Sequence, residues 1–174
     1  MATAMTVAQY IAAKYPSGGE LQRQKLLYYC QAWTLVWTGR PLFPDPIEAW
    51  QKGPVVPSVR NRKVTPNLEA ISAEDRSAVD AVLDFYGGMS GQQLMDLTHE
   101  EQPWQHAWGE RSAVDNGDEE ILHVDMLRFY SQLSLNGNCP NFKGTSIAAD
   151  SDEVREVAAA AATYWKEALD LLAK

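Results

Sequence analysis

From Leu26 to Trp37 the chain reads LLYYCQAWTLVW, twelve residues without a charge in which only Gln31 and Thr34 are clearly polar. The apolar side chains fall at every angle around a helix, not on one stripe, and a helix apolar all round has to be covered on all sides. The run is too short to cross a bilayer, which takes about 20 apolar residues. It therefore predicts a central, buried helix. Glu20, Arg23 and Lys25 keep its first turns polar, Gly39 stands where a left-handed C-cap glycine belongs, and Pro41 follows. Leu21, Tyr28 and Leu35 recur at sevens, and Leu26, Cys30, Trp33 and Trp37 at threes and fours, so at least two faces require partner helices.

The partners can be read on either side. Thr6 and Gln9 have capping-box spacing and predict a first helix from near Val7, with Val7, Ile11 and Tyr15 along its apolar edge and Pro16, Gly18 and Gly19 ending it. After Gly39 the prolines at 41, 44, 46, 54 and 57 exclude a regular helix. Within that stretch Ile47 and Ala49 alternate with Glu48 and Trp50, enough for one short strand; Gly53 and Pro54 predict a turn, and Pro57 the first residue of a short helix through Arg60. Ser72 with Asp75 caps a helix whose Val79, Val82, Leu83 and Tyr86 share a face, stopped by Gly87 and Gly88. Ser90 with Gln93 opens a short helix ending near Thr98, and Pro103 starts another that carries Trp104 and Trp108. Gly109 to Glu120 reads as a surface loop, Ile121 and Leu122 as a pairing partner for the strand at Ile47, and Val124 to Leu135 as a helix with Leu127 and Tyr130 inward. A polar connection from Asn136 leads to Ser151, which caps a final amphipathic helix over 151–173 bearing Val154, Val157, Tyr164 and Trp165 on one face. The expected fold class is mainly α: a single compact helical domain over 1–174, built around a central buried helix with a minimal β element.

Charge narrows the functional classes. With 23 acidic and 15 basic residues the formal charge is −8, which repels phosphate backbones and disfavours nucleic acid as a partner. The basic run Arg60, Arg62 and Lys63 reads as a solvated helix face. Two cysteines make no disulfide framework, and MATAMTVAQY lacks the basic and apolar regions of a signal peptide, so a reduced, cytoplasmic setting without membrane insertion is expected.

Candidate chemistry is sparse. His99, His106 and His123 lack metal-site spacing, neither cysteine has a second ligand close in sequence, and Cys30 lies among apolar residues that leave a thiol inert. Neither a phosphate-cradling glycine loop nor a nucleophile elbow is present. The segment THEEQPW, Thr98 to Trp104, sets His99 beside Glu100 and Glu101, yet Thr98 and Glu101 also have capping-box spacing, which gives the carboxylate a structural use. Glu48, flanked by Ala49 and Trp50, is expected either to pair in the interior with Lys25 or Arg60 or to stand beside Trp50 on a stiff, proline-rich surface suited to docking. The residues predict no catalytic group, metal or cofactor.

Three segments together, QKLLYYCQAWTLVWTGRPLF at 24–43, IEAWQKGPVVPSV at 47–59 and THEEQPW at 98–104, resemble the Panacea domain, the SocA-like antitoxin family of bacterial and phage toxin–antitoxin operons. The first helix and the Ile121 to Tyr130 segment fit its layout, so the resemblance covers about 7–130; Arg60 stands where an aromatic residue is expected, and 136–174 falls outside it. The resemblance implies a non-enzymatic antitoxin that neutralises a cognate toxin by direct protein–protein contact. An adaptor that delivers the toxin to a ClpXP-type protease is the alternative, a phage-associated enzyme or structural protein the more distant one. The partner-binding surface expected on this reading comprises Glu48, Trp50, Val55, Val56, Pro57 and Arg60.

Overall fold

The computed structural model describes residues 2–112 and 117–143. In chain order these hold α1 (Ala4–Lys14), α2 (Glu20–Thr38), β1 (Glu48–Trp50), β2 (Gly53–Val55), α3 (Ala73–Tyr86), α4 (Gly91–His99), α5 (Gln102–Trp108), β3 (Glu119–Glu120) and α6 (His123–Leu135). The fold is mainly α with one small antiparallel sheet, in strand order β2-β1-β3. The amphipathic helix read from Ser151 onward lies outside the described residues.

α2 is the axis of the fold. Every residue from Gln24 to Leu35 is buried, as a helix apolar all round requires. α1, α3, α4, α6 and β2 pack on it from different sides. Trp33 donates its indole N–H to the Tyr86 hydroxyl of α3 at 3.2 Å, and Tyr29 stacks on Tyr86 with ring centroids 4.0 Å apart. The helix stops at Gly39, whose φ of 67° is the left-handed conformation that glycine adopts without a Cβ penalty; its N–H closes the last turn on the Leu35 carbonyl. Ser72 and Ser90 cap α3 and α4 by accepting from the backbone N–H of Asp75 and Gln93.

Four local expectations are revised. α1 begins at Ala4, not near Val7: Thr3 and Thr6 form the capping box, which moves the start back by one turn. Gly53 and Pro54 do not turn the chain but lie in β2; the turn falls at Gln51 and Lys52, and β2 is an edge strand, where a proline is tolerated. Pro57 to Arg60 forms a series of turns in place of a helix. In α6 the inward residues are Met126 and Tyr130, while Leu127 is 40% exposed. Ile121 does meet the sheet, donating its N–H to the Ile47 carbonyl at 2.8 Å, directly after the paired residues of β3.

Candidate functional site

The proline-rich stretch after α2 has few amide donors to spend on a sheet, and α2 holds it with side chains. Gln31 accepts from the N–H groups of Leu42 (2.9 Å) and Phe43 (3.2 Å) and donates to the Phe43 carbonyl (3.0 Å). Seven residues earlier, Gln24 accepts from Val56 N–H at 2.8 Å and donates to the Val56 carbonyl at 3.4 Å. Between them Lys25, fully buried, donates from Nζ to the Pro54 carbonyl at 2.8 Å. Burial, with the Arg60 guanidinium adding repulsion, pulls the Lys25 amine down to about 7. Gly53, at φ +84°, lies directly over this lysine: a Cβ there would stand 2.9 Å from Lys25 Cε and 2.7 Å from Thr98 Oγ1. The hairpin thus rests on α2 and α4 through backbone contacts that leave its outward side chains free to face solvent.

Behind the hairpin lies a buried carboxyl. Glu101, 5% exposed, accepts from the Tyr130 hydroxyl at 2.6 Å and the Tyr29 hydroxyl at 3.1 Å, so α2, α6 and the start of α5 meet at one group. The Tyr28 hydroxyl is buried in the same aromatic cluster. Loss of water raises the Glu101 carboxyl to about 7, against the opposing pull of the phenols, while burial pushes the tyrosines well up. Glu101 occupies the N-cap position of α5 without a side-chain capping bond, and Thr98 sits inside α4 bonded to the Met95 carbonyl; the expected capping box between them is absent. Glu101 also faces away from its neighbours in sequence. His99 packs against Trp104, the rings tilted by 33° with centroids 4.2 Å apart, and is held below its ordinary value by burial, then by Lys25; Glu100 is exposed. The three groups of THEEQPW therefore do not converge on one point. Among the described residues no cluster of three or more His, Cys, Asp or Glu is placed to hold a metal ion.

The expected contact residues divide between interior and surface. Val55 and Val56 are 4% and 0% exposed, their side chains spent on the core. Trp50, Pro57 and Glu48 are half-buried and Arg60 exposed. Glu48 makes no interior ion pair with Lys25 or Arg60; its Oε2 accepts from the Trp50 indole at 2.8 Å, while the Arg60 guanidinium lies over the Trp50 ring at 4.8 Å. Trp50 is fixed from behind as well, its carbonyl accepting from the Trp104 indole at 3.1 Å. An aromatic group is thereby presented in one orientation, with a cation on its face and a carboxylate at its edge. Lys25 and Glu101 are the residues that sequence reasoning undervalued; a lone lysine opening an uncharged helical run was the available signal for the first.

The family model described as antitoxin SocA-like, Panacea domain, matches residues 24–105. This segment is similar to the Panacea domain. No curated protein and no solved structure matches the chain. The matched segment lies within the 7–130 expected from the motifs. It begins at the Gln24 that holds Val56 and ends within α5, so it contains both glutamine clamps, Lys25, the hairpin and Glu101. Tyr130, the shorter of the two contacts to Glu101, lies beyond it. The buried carboxyl is thus one of the points at which α6 is tied to the Panacea-like segment, the contact of Gln31 with His123 at 3.0 Å being another. Among the described residues no helix is long and apolar enough to cross a membrane.

Proposed function

We propose that the protein is an antitoxin that neutralises a cognate toxin in the cytoplasm by direct protein–protein binding, without catalysing a reaction. The match of residues 24–105 to an antitoxin-like family carries this reading. The hairpin supports it: Trp50 and Arg60 are displayed on a backbone already pinned by Gln24 and Lys25, and a surface ordered before docking loses little entropy when a partner arrives. A tryptophan and an arginine together are also the residue types in which binding energy concentrates.

The test is co-expression with the small protein encoded beside the gene, scored for growth and then for co-purification. Wild-type protein should rescue growth and form a stable complex. Trp50→Ala, checked for retained helicity, should lose both; normal binding by that folded variant removes the hairpin from the interface. Rescue accompanied by toxin loss that depends on a ClpXP-type protease would replace neutralisation by the adaptor reading.

A further inference from the structure

The basic residues near the hairpin are clustered in sequence. Lys52, Arg60, Arg62 and Lys63 stand within twelve consecutive residues that contain no carboxylate, and all four are exposed. Elsewhere Lys14, Arg40, Arg76, Arg111 and Arg128 each meet a carboxylate within 4.0 Å, while among the described residues Arg23 and Lys143 form no such pair. Among the described residues none of the four hairpin cations forms such a pair. Three carboxylates close by keep their charge but accept from neutral donors: Glu20 from Asn61 N–H at 2.6 Å, Asp45 from the Ser58 hydroxyl and Ala4 N–H, and Glu48 from the Trp50 indole. Asn61 itself stands at a φ of 56°, in the left-handed region where asparagine is enriched.

An acidic protein thus carries, among the described residues, a surface segment where four exposed cations without an ion pair lie close in sequence to a fixed tryptophan, one of them over its ring. A long polyphosphate would meet the repulsion of the remaining surface, given the formal charge of −8. A short acidic face on a folded protein would not extend far enough to feel it, since exposed charges are screened beyond about 8 Å at physiological salt. We infer that the surface formed by Trp50, Lys52, Arg60, Arg62 and Lys63 receives a carboxylate-bearing face of the partner protein, with Trp50 as its aromatic anchor. The inference rests on the proposed toxin binding and adds the chemistry of the toxin's contact face.

The full-length chain is titrated with the product of the neighbouring reading frame at about 50 and 300 mM salt, a range over which the screening length shrinks markedly. The variant R60E/R62E/K63E should raise Kd by roughly 10- to 100-fold and flatten the salt dependence, as reversal of several rim charges does. The control R40E/R128E, equally exposed but away from the hairpin, should stay within about twofold. Unchanged binding by the hairpin variant overturns the inference and leaves neutralisation by binding intact. A second probe, poly-L-glutamate, does not depend on the neighbouring product and is followed by the Trp50 indole N–H resonance. A shift that R60E/R62E/K63E abolishes supports the surface even where the neighbouring product forms no complex, in which case the toxin reading alone falls. No shift and no complex removes both. Transfer RNA that moves the resonance at lower concentration than polyglutamate assigns the surface to phosphate and overturns the inference.

Discussion

Replacing Glu101 by glutamine removes the one carboxyl that Tyr29 and Tyr130 both address while keeping a carbonyl oxygen to accept from Tyr130. Folding raises this group from an ordinary 4.5 to about 7. Between those values the native state keeps a proton that the unfolded chain has released, so native stability falls as pH rises through the window and levels off above it. Each unit of displacement is worth about 1.4 kcal/mol, which gives a loss of about 3 kcal/mol between pH 4.5 and 7.5 from this side chain alone. Glu101→Gln has no proton to lose and should show no such contribution. Urea unfolding followed by tryptophan fluorescence, on both proteins across that pH range, isolates the effect, because every other titrating group cancels in the difference. The wild-type stability minus that of the variant should decline by about 3 kcal/mol from the acidic to the neutral end. Parallel curves would show that the carboxyl titrates in the native state as it does unfolded. A difference that grows with pH would show a carboxylate stabilised by its phenols; either result refutes the reasoning.

Lys25 should act in the opposite sense over a higher range. Its native amine releases a proton near 7 while the unfolded lysine keeps one until about 10.5, so stability should rise by about 2.5 kcal/mol from pH 7.5 to 9.5, and Lys25→Met should abolish that rise in the same urea assay. Gly53→Ala forces a non-glycine residue to φ +84° and presses its Cβ on Thr98 and Lys25; a loss of about 2–4 kcal/mol is expected, read as a lower urea midpoint at unchanged slope.

The parts of the fold legible in the sequence are those fixed by local chemistry. An uncharged run bounded by Gly39 and Pro41 located α2, and Ser72 and Ser90 located their helices, because a capping hydroxyl acts within three residues. The errors arose where two local solutions compete or where tertiary contacts decide. Thr3 with Thr6 and Thr6 with Gln9 share one spacing, and only the packing of Ala4 against the core selects the first. Gly53-Pro54 has the composition of a turn, yet Lys25 and Gln24 hold the chain extended there, an influence from about thirty residues away. In α6 a rotation of one position exchanged Leu127 for Met126. Of the candidate site, Trp50 and Arg60 were legible as surface residues beside prolines. The burial of Val55 and Val56 was not, because two adjacent valines in a proline-rich run carry no period to show which way they face. Nor was the use of Glu101: a capping box and a buried carboxyl share the same spacing, and the choice belongs to Tyr130, distant in sequence.

Gln24 and Gln31 grip peptide groups, which every residue type possesses, and not the side chains of the segment they hold. Register in the proline-rich stretch is therefore indifferent to what its outward positions carry. Substitutions at Trp50, Lys52 or Arg60 can change the chemistry offered outward while the backbone beneath keeps its course. A surface built this way can change what it offers by a handful of replacements, with neither the helix core nor the clamps being remade.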